Sequence, residues 1–222
     1  MNKPNRPYDL ICFDIDGTLV RHRDDKVIWQ VLNARYTGTD TINEERHRMF
    51  HEGKISYARW VELDVQGWIN AGATRPGVLS AVEEFQCIAG ATETLDELAQ
   101  CGIRLAVISG TLDVVIDTMF PEHPFGDVYS NRLIFDDDDR LVGWEATPFD
   151  QKGKEHALRE LSQKYGVDLS RTAFVGDGDN DVSVIGVAGC VVALNPRSAE
   201  LERNADHVLH TDNIRNLIEI LR

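Results

Sequence analysis

The chain is poor in cysteine and in positive charge, and it has no long apolar run. Four cysteines stand at Cys12, Cys87, Cys101 and Cys190, with no CxxC and no close pair. That spacing speaks against a disulfide framework and for reduced core thiols of a cytoplasmic protein. Lys and Arg total 23 against 37 Asp and Glu, a formal charge of −14, and no basic stripe offsets the excess. Duplex nucleic acid and anionic membrane therefore make poor partners. No stretch approaches the ~20 apolar residues of a membrane span. The apolar run after Lys3 and Arg6 stops at Asp14, so it is no signal-peptide core. Internal repeats are absent, and the only biased tract is the acidic run 136–139.

What is present is ordinary globular material, with 42% hydrophobic and 27% charged residues over 222 positions. That length holds one α/β domain with an insert, or two small domains, at about 100–150 residues each. Short apolar runs at 10–13, 105–108, 173–175 and 191–194 alternate with helical patterns, the signature of βαβ units and a parallel sheet. Residues 20 to about 86 carry far more chain than one crossover needs and read as an inserted helical subdomain. Its clearest stripe is Tyr57, Trp60, Val61, Val65, Trp68 and Ile69. Trp60 and Trp68 read first as its core and second as a substrate platform. Residues 91–100 read as a crossover helix starting near Thr92 or Thr94. Residues 131–135 and 141–144 read as a hairpin, with 136–139 as its solvated turn in preference to a cation site.

The strand ends carry the chemistry. Ligands of open α/β sheets bind beyond the carboxyl ends of the strands, where strand order reverses. Asp14 and Asp16 close the first run, two acids that cost stability at a buried strand end unless a charge meets them. Ser109-Gly110 ends the second and reads as the opening of a helix, whose free N–H groups favour phosphate. Asp177, Asp179, Asn180 and Asp181 follow the third. Val182 stands where an EF-hand needs Gly, and Ala188 where it needs Glu, so a calcium loop is rejected. Together the acids form a hard-oxygen site suited to Mg²⁺ and a substrate phosphate. Lys154 lies on the Leu158, Leu161, Tyr165 stripe in the first turn of its helix, where a cation opposes the dipole. An inward role at a phosphate explains it better than stability does. Lys152 is a lesser candidate. The histidines show no metal spacing, and His22, His47, His51 and His156 read as surface residues.

The segments Phe13-Asp14-Ile15-Asp16-Gly17-Thr18-Leu19, Ser109-Gly110, Lys154 and Gly176-Asp177-Gly178-Asp179-Asn180-Asp181 resemble, in order, the four motifs of the haloacid dehalogenase superfamily. Asn131-Arg132-Leu133-Ile134 and the Lys154–Asp177 spacing resemble its phosphoserine phosphatase-like branch. The resemblance implies a Rossmann-like three-layer α/β/α core with a mostly parallel sheet over 1–19 and 87–222. It also implies a small helical cap over 20–86. It further implies a Mg²⁺-dependent phosphatase of a small phosphorylated metabolite, working through an aspartyl phosphate. In that scheme Asp14 is the nucleophile and Asp16 the acid and then the base. Asp14, Asp177 and the backbone carbonyl of Asp16 hold Mg²⁺. Ser109, Gly110 and Lys154 grip the phosphoryl oxygens, Asn180 supports the phosphate and Asp181 supports Lys154. A phosphotransferase, or a phospholigand-binding module without turnover, is the alternative.

The branch grips phosphoserine with a cap Glu and a cap Arg. Their places fall here on Arg23 and on Glu62 or Asp64, with the charges reversed. A one-turn slip brings Arg59 near the second place. Asp64, the one acid on the apolar stripe, is expected either to face the substrate or to pair with Arg59 or Arg46.

Overall fold

The computed structural model describes residues 7–39 and 41–222; Lys3 and Arg6 lie outside the described residues. The chain opens on β1 (Leu10–Phe13), whose four residues are all fully buried. A segment of β2 (Val20–His22), α1 (Ile28–Thr37), α2 (Thr41–His51), α3 (Tyr57–Asn70), α4 (Arg75–Val82) and β3 (Phe85–Cys87) follows. The core then resumes with α5 (Ala91–Gln100), β4 (Arg104–Leu112), α6 (Asp113–Met119), β5 (Phe125–Phe135), β6 (Leu141–Glu145) and α7 (Lys154–Tyr165). It closes with β7 (Thr172–Gly176), β8 (Cys190–Leu194), α8 (Ala199–Asn204), β9 (His207–Leu209) and α9 (Ile218–Leu221).

Seven strands form one sheet in the order β6-β5-β4-β1-β7-β8-β9. All neighbours are parallel except β5 and β6. The chain runs from β1 outward through β4 on one side and later returns to β7 on the other, so strand order reverses at β1. A crevice forms there, beyond the strand ends. Successive side chains of β1 face opposite ways. Ile11 and Phe13 join Leu95 and Leu98 of α5 in one core. Leu10 and Cys12 join Leu158 and Leu161 of α7 in the other. Helices thus cover both faces, which is why the strand reads as a continuous apolar run. At about 1.5–3 kcal/mol per fully buried aliphatic or aromatic side chain, these two cores hold β1 rigid.

The insert is mainly helical, but its ends are strands. β2 and β3 pair antiparallel, Val20 opposite Cys87, as a stem between the core and four helices. His22 on this stem is buried against Phe85, at 5.0 Å between ring centroids, and is not a surface residue. The α3 stripe packs as expected: Val61, Val65 and Trp68 are buried. The Trp68 indole donates to Asn33 Oδ1 at 2.8 Å. Helix α5 starts from Gly90 in a left-handed conformation (φ 82°). Thr92 and Thr94 thus lie inside it, because a glycine can turn the chain there without a side-chain cap. The acidic run is a turn: Asp136 Oδ1 accepts from the N–H groups of Asp138 and Arg140, and Asp139 ties to Arg75 of the cap at 3.2 Å. Among the described residues no helix is long and apolar enough to cross a membrane.

Candidate active site

Asp14 follows β1 directly and keeps its register, its N–H donating to Val175 C=O at 2.9 Å. Two residues on, the chain turns through Gly17 at φ 92°. A Cβ at Gly17 would lie 2.2 Å from Asp177 Oδ2, so glycine is needed both for the turn and for the close approach of the two strand ends. Asp177 directly follows β7, and Thr18 Oγ1 donates to its Oδ1 at 3.4 Å. Gly176 is similarly enforced, since a Cβ there would meet Asp181 Oδ2 at 2.3 Å.

Lys154 ties these ends together. Its side chain is fully buried, and Nζ donates to Asp14 Oδ1 at 2.8 Å and to Asp181 Oδ1 at 2.6 Å. Burial pushes the ammonium down, but Asp14, Asp181 and Asp150 outweigh that and hold it above the usual lysine range. Asp181 Oδ2 accepts the N–H groups of Asp177 and Gly178 at 2.8 and 2.9 Å. Both Asp181 oxygens are therefore occupied, and the residue anchors Lys154. Lys152 plays no part here; its Nζ lies 5.3 Å from the Phe50 ring centroid of the cap.

Asp16 is less enclosed as a residue, but its Oδ1 is sealed from solvent and has no hydrogen-bond partner. Burial, then the charge of Asp14, pushes this carboxyl from 3.8 up to about 7. Burial also pushes Asp177 and Asp181 above the usual carboxylate range, against the pull of Arg197 and Lys154 respectively.

The site favours a cation. Carboxylate oxygens of Asp14, Asp177 and Asp181 lie within 4.8 Å of one another. Asp181 is held by Lys154 and two backbone N–H groups, which leaves Asp14, Asp177 and the Asp16 carbonyl as the hard-oxygen donors that would hold Mg²⁺, the last two with Arg197 displaced. Arg197 rests on two of these, donating from Nε to Asp177 Oδ2 at 2.6 Å and from Nη2 to the Asp16 carbonyl at 3.3 Å.

Ser109 and Gly110 face the same cleft, of about 320 Å³. They belong to β4 and not to a helix start: the strand runs on to Leu112 through a register shift after Ile108, and α6 begins at Asp113. The expected helix N-terminus is therefore three residues away. Gly110 C=O accepts from the Trp29 indole and from Asn131 Nδ2, each at 2.8 Å. A Cβ on Gly110 would lie 2.2 Å from the Asp150 carboxyl carbon. Asn180 also lines the cleft and donates to Asp150 Oδ1 at 2.7 Å.

On the cap side, Asp64 lines the cleft and pairs with Arg46, so one of its two expected partners is found. Arg23 and Arg59 do not line it. Arg23 lies on the exposed face beside Glu84 at 3.0 Å, and Arg59 pairs with Glu62 at 2.8 Å one turn along α3. Trp60 lines the cleft, whereas Trp68 is cap core.

Sequence reading missed Asp150, Arg197, Trp29 and Tyr57 as lining residues. Arg197 was accessible to the same strand-end rule, since it follows Asn195-Pro196 beyond β8. No local pattern marks the other three.

The haloacid dehalogenase-like hydrolase profile matches residues 8–189. The chain belongs to the haloacid dehalogenase-like hydrolases. Within this family it is 30% identical over 191 residues to the phosphoserine phosphatase SerB2 of Mycobacterium tuberculosis, covering 86% of this chain and 45% of that protein. It is 26% identical to the phosphoserine phosphatase of Methanocaldococcus jannaschii, covering 96% of this chain and 97% of that one. This hydrolase chain thus spans less than half of the mycobacterial relative and nearly all of the archaeal one. A solved substrate-bound phosphoserine phosphatase complex superposes with a TM-score of 0.78 at 25% identity over the whole of both chains. A phospho-aspartyl intermediate analogue of phosphoserine phosphatase does so with 0.77 at 25% identity, over 98% of this chain and all of that one.

Proposed function

We propose that this chain is a Mg²⁺-dependent phosphatase of a small phosphomonoester, working through an aspartyl phosphate on Asp14. The observation that carries the reading is the buried Lys154 ammonium bridging Asp14 and Asp181, beside an Asp16 carboxyl whose Oδ1 has no partner. A buried ion network of this kind contributes little net stability, whereas it suits transfer of an anionic group. The solved phospho-aspartyl intermediate analogue of phosphoserine phosphatase supports the same route in a relative.

In the first step an Asp14 oxygen attacks phosphorus, the ester P–O bond breaks, and Asp16 gives its proton to the leaving alkoxide. In the second, Asp16 takes a proton from water, the water oxygen attacks phosphorus, and the Asp14–phosphorus bond breaks to release phosphate. A carboxyl near 7 serves both directions at neutral pH. Lys154, Ser109 and the Gly110 backbone supply charge and donors for the phosphoryl oxygens, with Asn180 beside them. Mg²⁺, held by Asp14, Asp177 and the Asp16 carbonyl, would draw off negative charge from the phosphoryl group. Asp181 acts as a positioning residue through Lys154. Four free cysteines support a reducing, cytoplasmic setting.

Phosphate release from p-nitrophenyl phosphate with Mg²⁺, beside Asp14→Asn, tests the chemistry. Turnover by the wild type and its loss in Asp14→Asn is expected. Equal rates in both proteins, or none in either across a broad panel of phosphoesters, overturns it. Phosphate appearing on an added alcohol in preference to water would make the enzyme a phosphotransferase.

A further inference from the structure

Among the described residues five carboxylates line the cleft, at Asp14, Asp16, Asp64, Asp150 and Asp179, against one guanidinium, Arg197. Arg197 is engaged with Asp177 and the Asp16 carbonyl on the core side. The cap side offers no lining lysine or arginine among the described residues, and its one imidazole, His47, lies 2.9 Å from His51 and is held below the usual histidine range by burial and by His51, so no fixed cation there answers a substrate carboxylate. It offers three aromatic side chains instead: Trp29, Tyr57 and Trp60. Two of these are fixed by hydrogen bonds, the Trp29 indole to Gly110 C=O at 2.8 Å and Tyr57 Oη from Asn131 Nδ2 at 2.8 Å. Tyr57 and Trp60 stand edge to face at 6.3 Å.

Asp64 sits among them on α3. Its Oδ1 takes Asn33 Nδ2 at 3.0 Å and Arg46, and the Trp60 indole lies beside the same carboxylate. Its Oδ2 is buried and has no partner. Arg46 does not line the cleft, so the pair presents its negative end inward. Asn43 Oδ1, a second buried acceptor without a partner, lines the same space. Buried acceptors are normally satisfied, and aromatic faces attract cations, most strongly where water is displaced. Orphaned acceptors, a carboxylate and aromatic walls in one cleft are complementary to an ammonium group.

Resting on the phosphatase reading above, we infer that the substrate is a phosphorylated amino alcohol without a carboxylate. Its phosphate sits at Asp14 and its ammonium end between Asp64 and the Trp29, Tyr57 and Trp60 rings. Asp64 is then the residue that sets substrate choice, and L-phosphoserine is disfavoured because its carboxylate would enter an acidic cleft with no cation to receive it.

The test is kinetic and calorimetric on the full chain with Mg²⁺. Phosphoethanolamine, phosphocholine, L-phosphoserine and 3,3-dimethylbutyl phosphate, the uncharged carbon isostere of phosphocholine, are compared. The expected kcat/KM for at least one ammonium ester exceeds that for both the isostere and L-phosphoserine by about tenfold or more. The two ammonium esters distinguish a hydrogen-bonded primary amine from a caged quaternary one. Asp64→Asn is expected to collapse the charged-to-neutral ratio to within about threefold, chiefly through KM. Equal or reversed preference in the wild type, or an unchanged ratio in Asp64→Asn, overturns the inference. Should Asp64→Asn fail to fold, the wild-type ratio decides alone. Inactivity on p-nitrophenyl phosphate and the whole panel refutes the phosphatase reading separately. Calorimetry then judges the subsite: tighter binding of an ammonium ester than of the isostere upholds it, and equal or absent binding overturns it.

Discussion

Replacing Asp16 by Asn should stabilise the metal-free protein, and by an amount that depends on pH. Burial and the neighbouring Asp14 charge raise this carboxyl from 3.8 to about 7. Between those values the native state keeps a proton that the unfolded chain has released, so native protein binds more protons. Unfolding free energy must then fall as pH rises from about 4 to about 7 and level off above. A displacement of about three pH units, at ~1.4 kcal/mol each, corresponds to at most about 4 kcal/mol, less where solvent reaches the residue. Asp177 and Asp181, also raised, add to the wild-type slope with the same sign. Asparagine mimics the protonated acid and cannot ionise, so the difference between the two proteins isolates residue 16. Thermal melts in EDTA at pH 5 and pH 8 are the assay. Asp16→Asn should gain roughly 3–7 °C at pH 5, where about 1.7 kcal/mol of the penalty is already present, and up to roughly 8–16 °C at pH 8, at ~2–4 °C per kcal/mol for a domain of this size. A gap independent of pH, or a less stable variant at pH 8, would refute the electrostatic account.

Three further substitutions probe the same network. Lys154→Met strands Asp14 and Asp181, and denaturant unfolding at pH 7 should show a loss of about 3–5 kcal/mol together with abolished p-nitrophenyl phosphate turnover. Arg197→Met removes the guanidinium resting on Asp177 and the Asp16 carbonyl. With the Arg197 side chain 49% exposed, the loss in EDTA should be modest, about 1 kcal/mol or ~2–4 °C. Saturating Mg²⁺ should raise its melting temperature more than that of the wild type. Gly110→Ala puts a Cβ within 2.2 Å of the Asp150 carboxyl carbon. Because Asp150 also receives Asn180, steady-state kinetics should show a fall in kcat/KM of at least about tenfold, while far-UV circular dichroism stays unchanged.

The core side of the cleft was legible because each of its residues resists a purely structural explanation. Two acids closing an apolar strand, and a lysine on a core stripe at the wrong end of a helix dipole, stand out from local pattern alone, and the lysine meets the first of the acids, Asp14, at 2.8 Å. Ser109 and Gly110 were found in the right cleft for an incorrect reason, since β4 stays extended to Leu112. The three-residue β9 is mostly exposed and carries too little apolar signal to be seen. The substrate end was legible only as alternatives. Whether Asp64 meets Arg46 or Arg59 depends on how α2 crosses α3, and no periodicity within α3 encodes that crossing. The same holds for Trp29, Tyr57 and Trp60. Each reads as amphipathic surface or core within its own helix, and they line one cleft only when α1 and α3 pack over the strand ends. Chemistry that one segment must neutralise is therefore visible in sequence. Specificity assembled between segments that are each locally satisfied has to be read from their packing.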